Sequence, residues 1–161
     1  DWDTLHEVIC PTAREVGFTV WRPLVWDKVR LGMGYHYRSR HEYVAFLEKG
    51  KRRLADLGVP SLLEVPQVRS KGRYPTEKPV ELMRVLVRQS SQPGEIVFDP
   101  FCGSGATGVA ATMDGRRFVG VDIEQRAIDT AQAAILSGVQ PFLLGDSPRR
   151  EASGSVVPEL G

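Results

Sequence analysis

The residues whose types and spacing could do chemistry gather between Ile96 and Asp122, in the run IVFDPFCGSGATGVAATMDGRRFVGVD. Asp99 closes an apolar run, and Phe101-Cys102-Gly103-Ser104-Gly105 follows it. A second carboxylate, Asp122, closes the apolar run Phe118–Val121. Glycines without Cβ let a turn take positive φ and let backbone approach a ligand closely. An acid at a strand tip can accept two hydrogen bonds from ribose hydroxyls. The loop lacks the Gly-Lys-Ser/Thr of a Walker phosphate cradle. Gly103, Gly105 and Gly108 do have the GxGxxG spacing, a weak sign of a dinucleotide site when it stands alone. Asp99 argues against a dinucleotide, because its charge would repel a pyrophosphate beside the loop. It suits a ligand carrying an amino group or a positive charge, and S-adenosyl-L-methionine has both.

These residues need a βαβ unit to position them. Ile96-Val97-Phe98 reads as a buried parallel strand ended by Asp99-Pro100. Ala106–Met113 reads as a small-residue helix, and Phe118–Val121 as the second strand. Ile96–Asp99 is expected at the centre of a mostly parallel sheet, with helices from Ala106 and Glu124 on opposite faces or flanking it. The helix from Glu124 to Leu136 would turn Ala127, Ile128, Ala131, Ala134 and Ile135 inward. Gln140–Leu144 is expected as a third strand ending at Gly145-Asp146. Upstream, Thr76 can cap a helix in which Pro79 fits the first turn. Val80, Leu82, Met83, Leu86 and Val87 make that helix amphipathic to about Ser90, and Pro93-Gly94 turns the chain into the strand.

The first half is less regular. Thr4–Val16 has helical spacing that Pro11 interrupts, predicting a kink or a split. Phe18–Trp26 reads as a strand, with Pro23 implying an edge or a bulge. Arg30–Arg40, RLGMGYHYRSR, is a loop in which arginines and aromatics alternate, a composition suited to stacking on bases and pairing with phosphates. A solvated hairpin loop would have the same composition. Glu42–Glu48 reads as a strand, followed by a basic patch of Lys49, Lys51, Arg52 and Arg53. Leu54–Tyr74 has no sustained period.

The 161 residues suffice for one domain with a core. With 42% hydrophobic and 25% charged residues the chain reads as an ordinary soluble globular protein, with no membrane segment. Two cysteines without metal-ligand spacing suit a reducing, cytoplasmic setting. The net charge of +1 hides an asymmetry: residues 1–75 hold 13 Lys/Arg against 9 Asp/Glu, and residues 76–161 hold 8 against 11. A basic half beside an acidic half suits contact with a polyanion on one side, although chance variation could give as much.

DPFCGSGATGVAA, followed by FVGVDIEQRAIDTAQAAI, resembles the cofactor motif of the DNA amino-methyltransferases, which methylate adenine N6 or cytosine N4. YPTEKPVELMRVLVRQSSQPGEIVFDPF resembles the segment before that motif in the subgroup whose catalytic half comes first. The resemblance covers residues 17–146. It implies an α/β fold, a Rossmann-like three-layer sandwich, and methyl transfer from S-adenosyl-L-methionine to a base amine in double-stranded DNA, adenine before cytosine. By resemblance, Asp99 and the loop Phe101, Gly103, Ser104 and Gly105 hold the methionine part, and Asp122 holds the ribose. Ile123 packs on the adenine ring, Thr76 and Lys78 lie near the methionine carboxylate, and Asp146 near the adenine amine. Asp122 could instead cap the following helix. Arg38, Arg40, Lys49, Lys51, Arg52 and Arg53 would meet DNA, with Tyr35 or Tyr37 near the flipped base.

The same family activates the amine with Asp/Asn/Ser-Pro-Pro-aromatic, whose polar groups accept the amine's hydrogens while the aromatic stacks on the base. That motif is absent from these 161 residues. By the family's order it is expected upstream of Asp1, so the fold is expected to be incomplete at the N-terminus, with no catalytic residue on this chain. A homodimer or a completing chain is one expected partner; the other reading is a non-catalytic module that binds cofactor or DNA and needs another chain or segment for activity. Residues 1–146 are expected to form one domain: the remainder of the catalytic half at 1–50, a short recognition insertion at 51–75 and the cofactor half at 76–146. Residues 147–161 are expected to be a disordered tail.

Overall fold

A computed structural model describes residues 2–33, 35–68 and 77–143. Asp1, ahead of which the catalytic motif is expected, therefore lies outside the described residues, as does the tail expected at 147–161. The N-terminal helical stretch is split, as Pro11 implies. A π-helical segment, Thr4–Ile9, runs into α1, Cys10–Glu15. The Cys10 N–H reaches back five residues to the Leu5 carbonyl, and Pro11, which has no N–H to donate, sits in the first turn of α1.

The strand expected over Phe18–Trp26 is two strands in two sheets. β1 is Thr19–Val20 and β2 is Leu24–Asp27, with Pro23 in the break. Glu42–Glu48 is likewise divided into β3, His41–Val44, and β4, Leu47–Glu48. The two breaks match: β1 pairs with β4 and β2 with β3, both antiparallel, so the chain changes sheet twice in step. β5, Leu62–Glu64, lies in the stretch that shows no period, and pairs parallel with β2. Three residues are too few to make an alternation visible.

α2 runs from Val80 to Ser90, with Pro79 as its N-cap and no side-chain cap. The helix therefore starts after the expected Thr76, which lies outside the described residues. β6, Ile96–Asp99, and α3, Ala106–Met113, fall where expected, but β6 is not the buried strand expected, since Ile96 and Phe98 are more than half exposed. β7, Arg117–Gly120, pairs parallel with β6. Among the described residues β6 is paired on that edge only, so the central place expected for it is not seen.

α4 runs from Gln125 to Leu143 and absorbs Gln140–Leu143, so the third strand expected there is helix instead; Leu144 lies outside the described residues. The alanine- and leucine-containing run before it propagates helix through Pro141, which donates no backbone bond itself but whose ring fixes a φ near the helical value. α3 packs between α2 and α4, so the helices flank one another. The architecture is α/β, with parallel pairing at β2–β5 and β6–β7.

One cluster of buried residues joins the sheet of β2 to α2: Trp26, Leu63 and Leu82, with Val44, Val59, Val65, Met83, Val85 and Leu86 against it. The Trp26 indole N–H donates to the Val65 carbonyl at 2.7 Å, so its one polar atom is satisfied. α3 and α4 instead bury small residues, Ala110, Ala111, Ala127 and Ala131 among them. Small side chains let two helix axes approach closely and leave dispersion to supply the attraction.

Candidate functional site

The loop between β6 and α3 is held by carboxylates acting on backbone amides. Asp99 Oδ1 accepts from the Phe101 N–H at 3.1 Å. Asp122 Oδ2 accepts from the Gly103 N–H at 2.9 Å, and its Oδ1 accepts from the Glu124 N–H at 3.0 Å. The hydrogen bonds from the Glu124 and Gly103 amides hold the Asp122 carboxyl below the ordinary aspartate range. Asp122 therefore latches the loop and also serves the start of α4. The capping role and the ribose role do not exclude each other, since two carboxylate oxygens offer about four acceptor sites.

The glycine spacing has a packing cause in addition to any ligand. Gly105 has φ +85°, and a Cβ there would lie 2.7 Å from both the Cα and the Cβ of Ala131 on α4. A Cβ on Gly108 would lie 2.6 Å from Ile135 Cδ1 and 2.7 Å from Phe118 Cε1. Two glycines of the GxGxxG thus let α4 and β7 close onto α3. Gly103, with φ +50°, gives its amide to Asp122.

A pocket of about 220 Å³ opens beside the loop, lined by Lys78, Asp99, Phe101, Cys102, Gly103, Ser104, Ala106 and Thr107. It brings together five of the expected cofactor residues and sets a cation, Lys78, beside an anion, Asp99. Burial, with Asp122 and Asp99 adding to it, pushes the Cys102 thiol up, so it stays protonated and is no nucleophile. Gly105 is buried at the base of the loop. Ile123 is 98% exposed next to Asp122, and Phe101 is also exposed. Asp146 and Thr76 lie outside the described residues.

Sequence reasoning missed Glu42, Lys28 and Trp26. Lys78 Nζ donates to Glu42 Oε2 at 2.8 Å and Lys28 Nζ to Glu42 Oε1 at 3.4 Å. Lys78 Nζ also sits 5.3 Å from the centre of the Trp26 ring. These partners lie 36 positions or more from Lys78 in sequence, and no local pattern marks them.

Several of the residues expected to meet DNA have partners within the protein. Arg40 makes two hydrogen bonds to Asp27, at 2.7 and 2.6 Å, and Arg38 donates to the Gly32 carbonyl at 2.8 Å. The loop between β2 and β3 is thus shaped by its own arginines. Tyr35 and Tyr37 are fully exposed on it, and Tyr35 meets His36 edge-on. Arg52 pairs with Glu95 at 2.7 Å, and Lys49 sits over the Phe18 ring. Lys51 and Arg53 are exposed.

The family model described as DNA methylase matches residues 1–133. The chain belongs to that family. It is 36% identical over 136 residues to YubD of Escherichia coli K12, covering 83% of this chain and 60% of YubD. It is 36% identical over 97 residues to the DNA adenine methyltransferase YhdJ of the same organism, covering 54% of this chain and 33% of YhdJ. Among solved structures, the M1.HpyAVI complex with S-adenosylmethionine superposes with a TM-score of 0.71 at 26% identity, covering 84% of this chain and 71% of that one. This DNA methylase chain thus spans 60% or less of the length of both relatives. Among the described residues no helix is long and apolar enough to cross a membrane, and no cluster of three metal-ligating side chains occurs.

Proposed function

We propose that these residues form the cofactor-binding part of a DNA methyltransferase that moves the methyl group of S-adenosyl-L-methionine to an exocyclic base amine, adenine N6 before cytosine N4. The observation that carries the reading is the pocket beside the latched loop, with Lys78 and Asp99 on its wall and Asp122 accepting from the amide of Gly103 in its lining. An α-amino carboxylate end is a zwitterion, and a cation set beside an anion matches it. Asp122 has acceptor sites left for the ribose hydroxyls. Exposed Ile123 offers apolar surface for the adenine ring, and Thr76 and Asp146 complete the assignment. The preference for adenine is supported by the likeness to YhdJ.

Methyl transfer from a sulfonium is an in-line displacement, in which the enzyme mainly positions donor and acceptor. The pocket residues serve the donor. The acceptor amine is a weak nucleophile, because its lone pair is delocalised into the ring. The Pro-Pro-aromatic motif that would accept its hydrogens is not among these 161 residues. It would come from further polypeptide joined ahead of Asp1 or from a second chain. Tyr35, Tyr37, Arg38, Arg40 and the patch Lys49, Lys51, Arg52 and Arg53 would meet double-stranded DNA from the side of β3 and β4.

Tritiated methyl transfer to unmethylated DNA tests this. The 161 residues alone should label nothing, and the same residues joined to a segment bearing Asp/Asn-Pro-Pro-aromatic should label DNA. Turnover by the 161 residues alone would refute the division of labour. The motif's absence also favours a second reading, a cofactor- or DNA-binding module without catalysis. Binding of cofactor with no labelling in either form would select it.

A further inference from the structure

We infer that Glu42 is a positioning residue for the cofactor: it holds the Lys78 ammonium at the mouth of the loop pocket and keeps it from collapsing onto Asp99. The inference rests on the cofactor reading above. Glu42 sits on β3, opposite Trp26 of β2 in the antiparallel register. Its carboxylate takes a hydrogen bond from Lys78 at 2.8 Å and one from Lys28 at 3.4 Å. Lys28 is largely covered, its side chain 14% exposed, so it anchors Glu42 from below. The third restraint is the Trp26 ring, 5.3 Å from Lys78 Nζ and itself only 2% exposed. A flexible four-carbon lysine is thereby held against a rigid floor.

The charge balance gives the arrangement its use. Two ammonium groups share one carboxylate, so one positive charge is left over. Lys78 keeps two of its three N–H donors for an incoming anion. Lys78 and Asp99 line the same pocket, yet among the described residues no ion pair joins them. If they paired, each would cancel the charge that the other half of an amino-acid zwitterion needs. Burial alone would push the Glu42 carboxyl up, but the hydrogen bond from Lys78 and the two nearby ammonium charges hold it below its ordinary range, so it stays ionised at neutral pH. Glu42 touches no ligand in this role; it acts through Lys78.

The test is calorimetric binding of two probes to the 161-residue chain. S-adenosylhomocysteine carries the amino-acid end, and 5′-methylthioadenosine lacks it. Glu42→Gln should weaken S-adenosylhomocysteine roughly 5- to 20-fold, as for loss of one charge-assisted contact, and leave methylthioadenosine unchanged. Glu42→Asp should recover part of the loss. Equal weakening of both probes would mean that Glu42 is merely structural, and no weakening of either would mean that Lys78 holds its place unaided; both results overturn the inference while the cofactor reading stands. Failure of the unsubstituted chain to bind either probe would overturn the cofactor reading and this inference with it.

Discussion

The loop beside the pocket and the sheet of β2 and β3 lean on different contacts, although Asp27 and Asp56 also hold the amide two residues on, as Asp99 and Asp122 do. From 77 to 143, carboxylates act on nearby backbone: Asp99 on the amide two residues on, Asp122 on the amides of Gly103 and Glu124. From 2 to 68, side chains act on side chains across long loops: Arg40 on Asp27, Trp21 on Glu48, and Glu42 on Lys28 within the half and on Lys78 beyond it. The first kind fixes a loop's shape, because backbone amides have nowhere else to go. The second fixes where a charge sits, and a ligand can compete for that charge. A pocket for a small ligand gains from the first, and a surface that yields to a charged partner can be built from the second. Lys78 belongs to both, since it lies at the cofactor loop and is held from the other half.

Substitutions can break or sharpen this contrast, and the largest effect is expected where loop shape meets helix packing. Gly105→Ala would put a Cβ 2.7 Å from Ala131 at φ +85°. Strain and overpacking together should cost about 3 kcal/mol, read as a drop in the urea midpoint at unchanged slope. Unaltered stability would show that α4 can retreat and that the glycine serves the ligand alone. Asp122→Ala comes next. It unlatches Gly103 and removes the proposed ribose acceptor, so S-adenosylhomocysteine should bind roughly 100-fold more weakly by calorimetry. Equal affinity would remove Asp122 from the site.

Asp114 tests the border between the kinds, for it ends α3 and takes both Arg84 and Arg88 of α2 with its side chain only 6% exposed. Burial would raise its pKa, but the hydrogen bonds from Arg84 and Arg88 outweigh burial and hold it below the ordinary value near 3.8. A depressed carboxyl contributes stability that is complete above the ordinary value and is lost as pH falls through the folded one. Asp114→Asn should cost about 2 kcal/mol at pH 7, and its stability should fall less steeply than that of the unsubstituted protein below about pH 4. Parallel acid limbs would assign the acid sensitivity elsewhere. The smallest effect is expected at the exposed loop. Tyr37→Ala should leave stability within about 0.5 kcal/mol and weaken single-stranded DNA binding by about 1–3 kcal/mol if the ring stacks on a base. Unchanged DNA affinity would return the loop to plain surface.

The halves also differ in how far they could be read from sequence. β6 and α3 lie at their expected bounds, β7 one residue early, because a βαβ unit repeats its hydrophobic period within some 25 residues and glycines mark the turn. In the first half Pro23 marks a break correctly, but that the chain changes sheet there, with β4 changing in step, depends on partners 14 to 29 residues away. β5 shows no signal of its own, since a three-residue strand is specified by the edge it joins. The helix over Gln140–Leu143 misleads in the opposite direction: its composition suits a strand, and the helix already propagating from Gln125 overrides it.

The local sequence alone determined the glycine loop, the two carboxylates that bound it and the βαβ unit beneath them, since each depends on residues within a few turns of one another. Tertiary structure alone decided that Gly105 and Gly108 are spaces for α4 and β7, that Arg40 turns to Asp27, and that Lys78 is held by Glu42. A close approach or a shared charge is a property of two segments, and its free energy exists only once folding has brought them within a few ångströms.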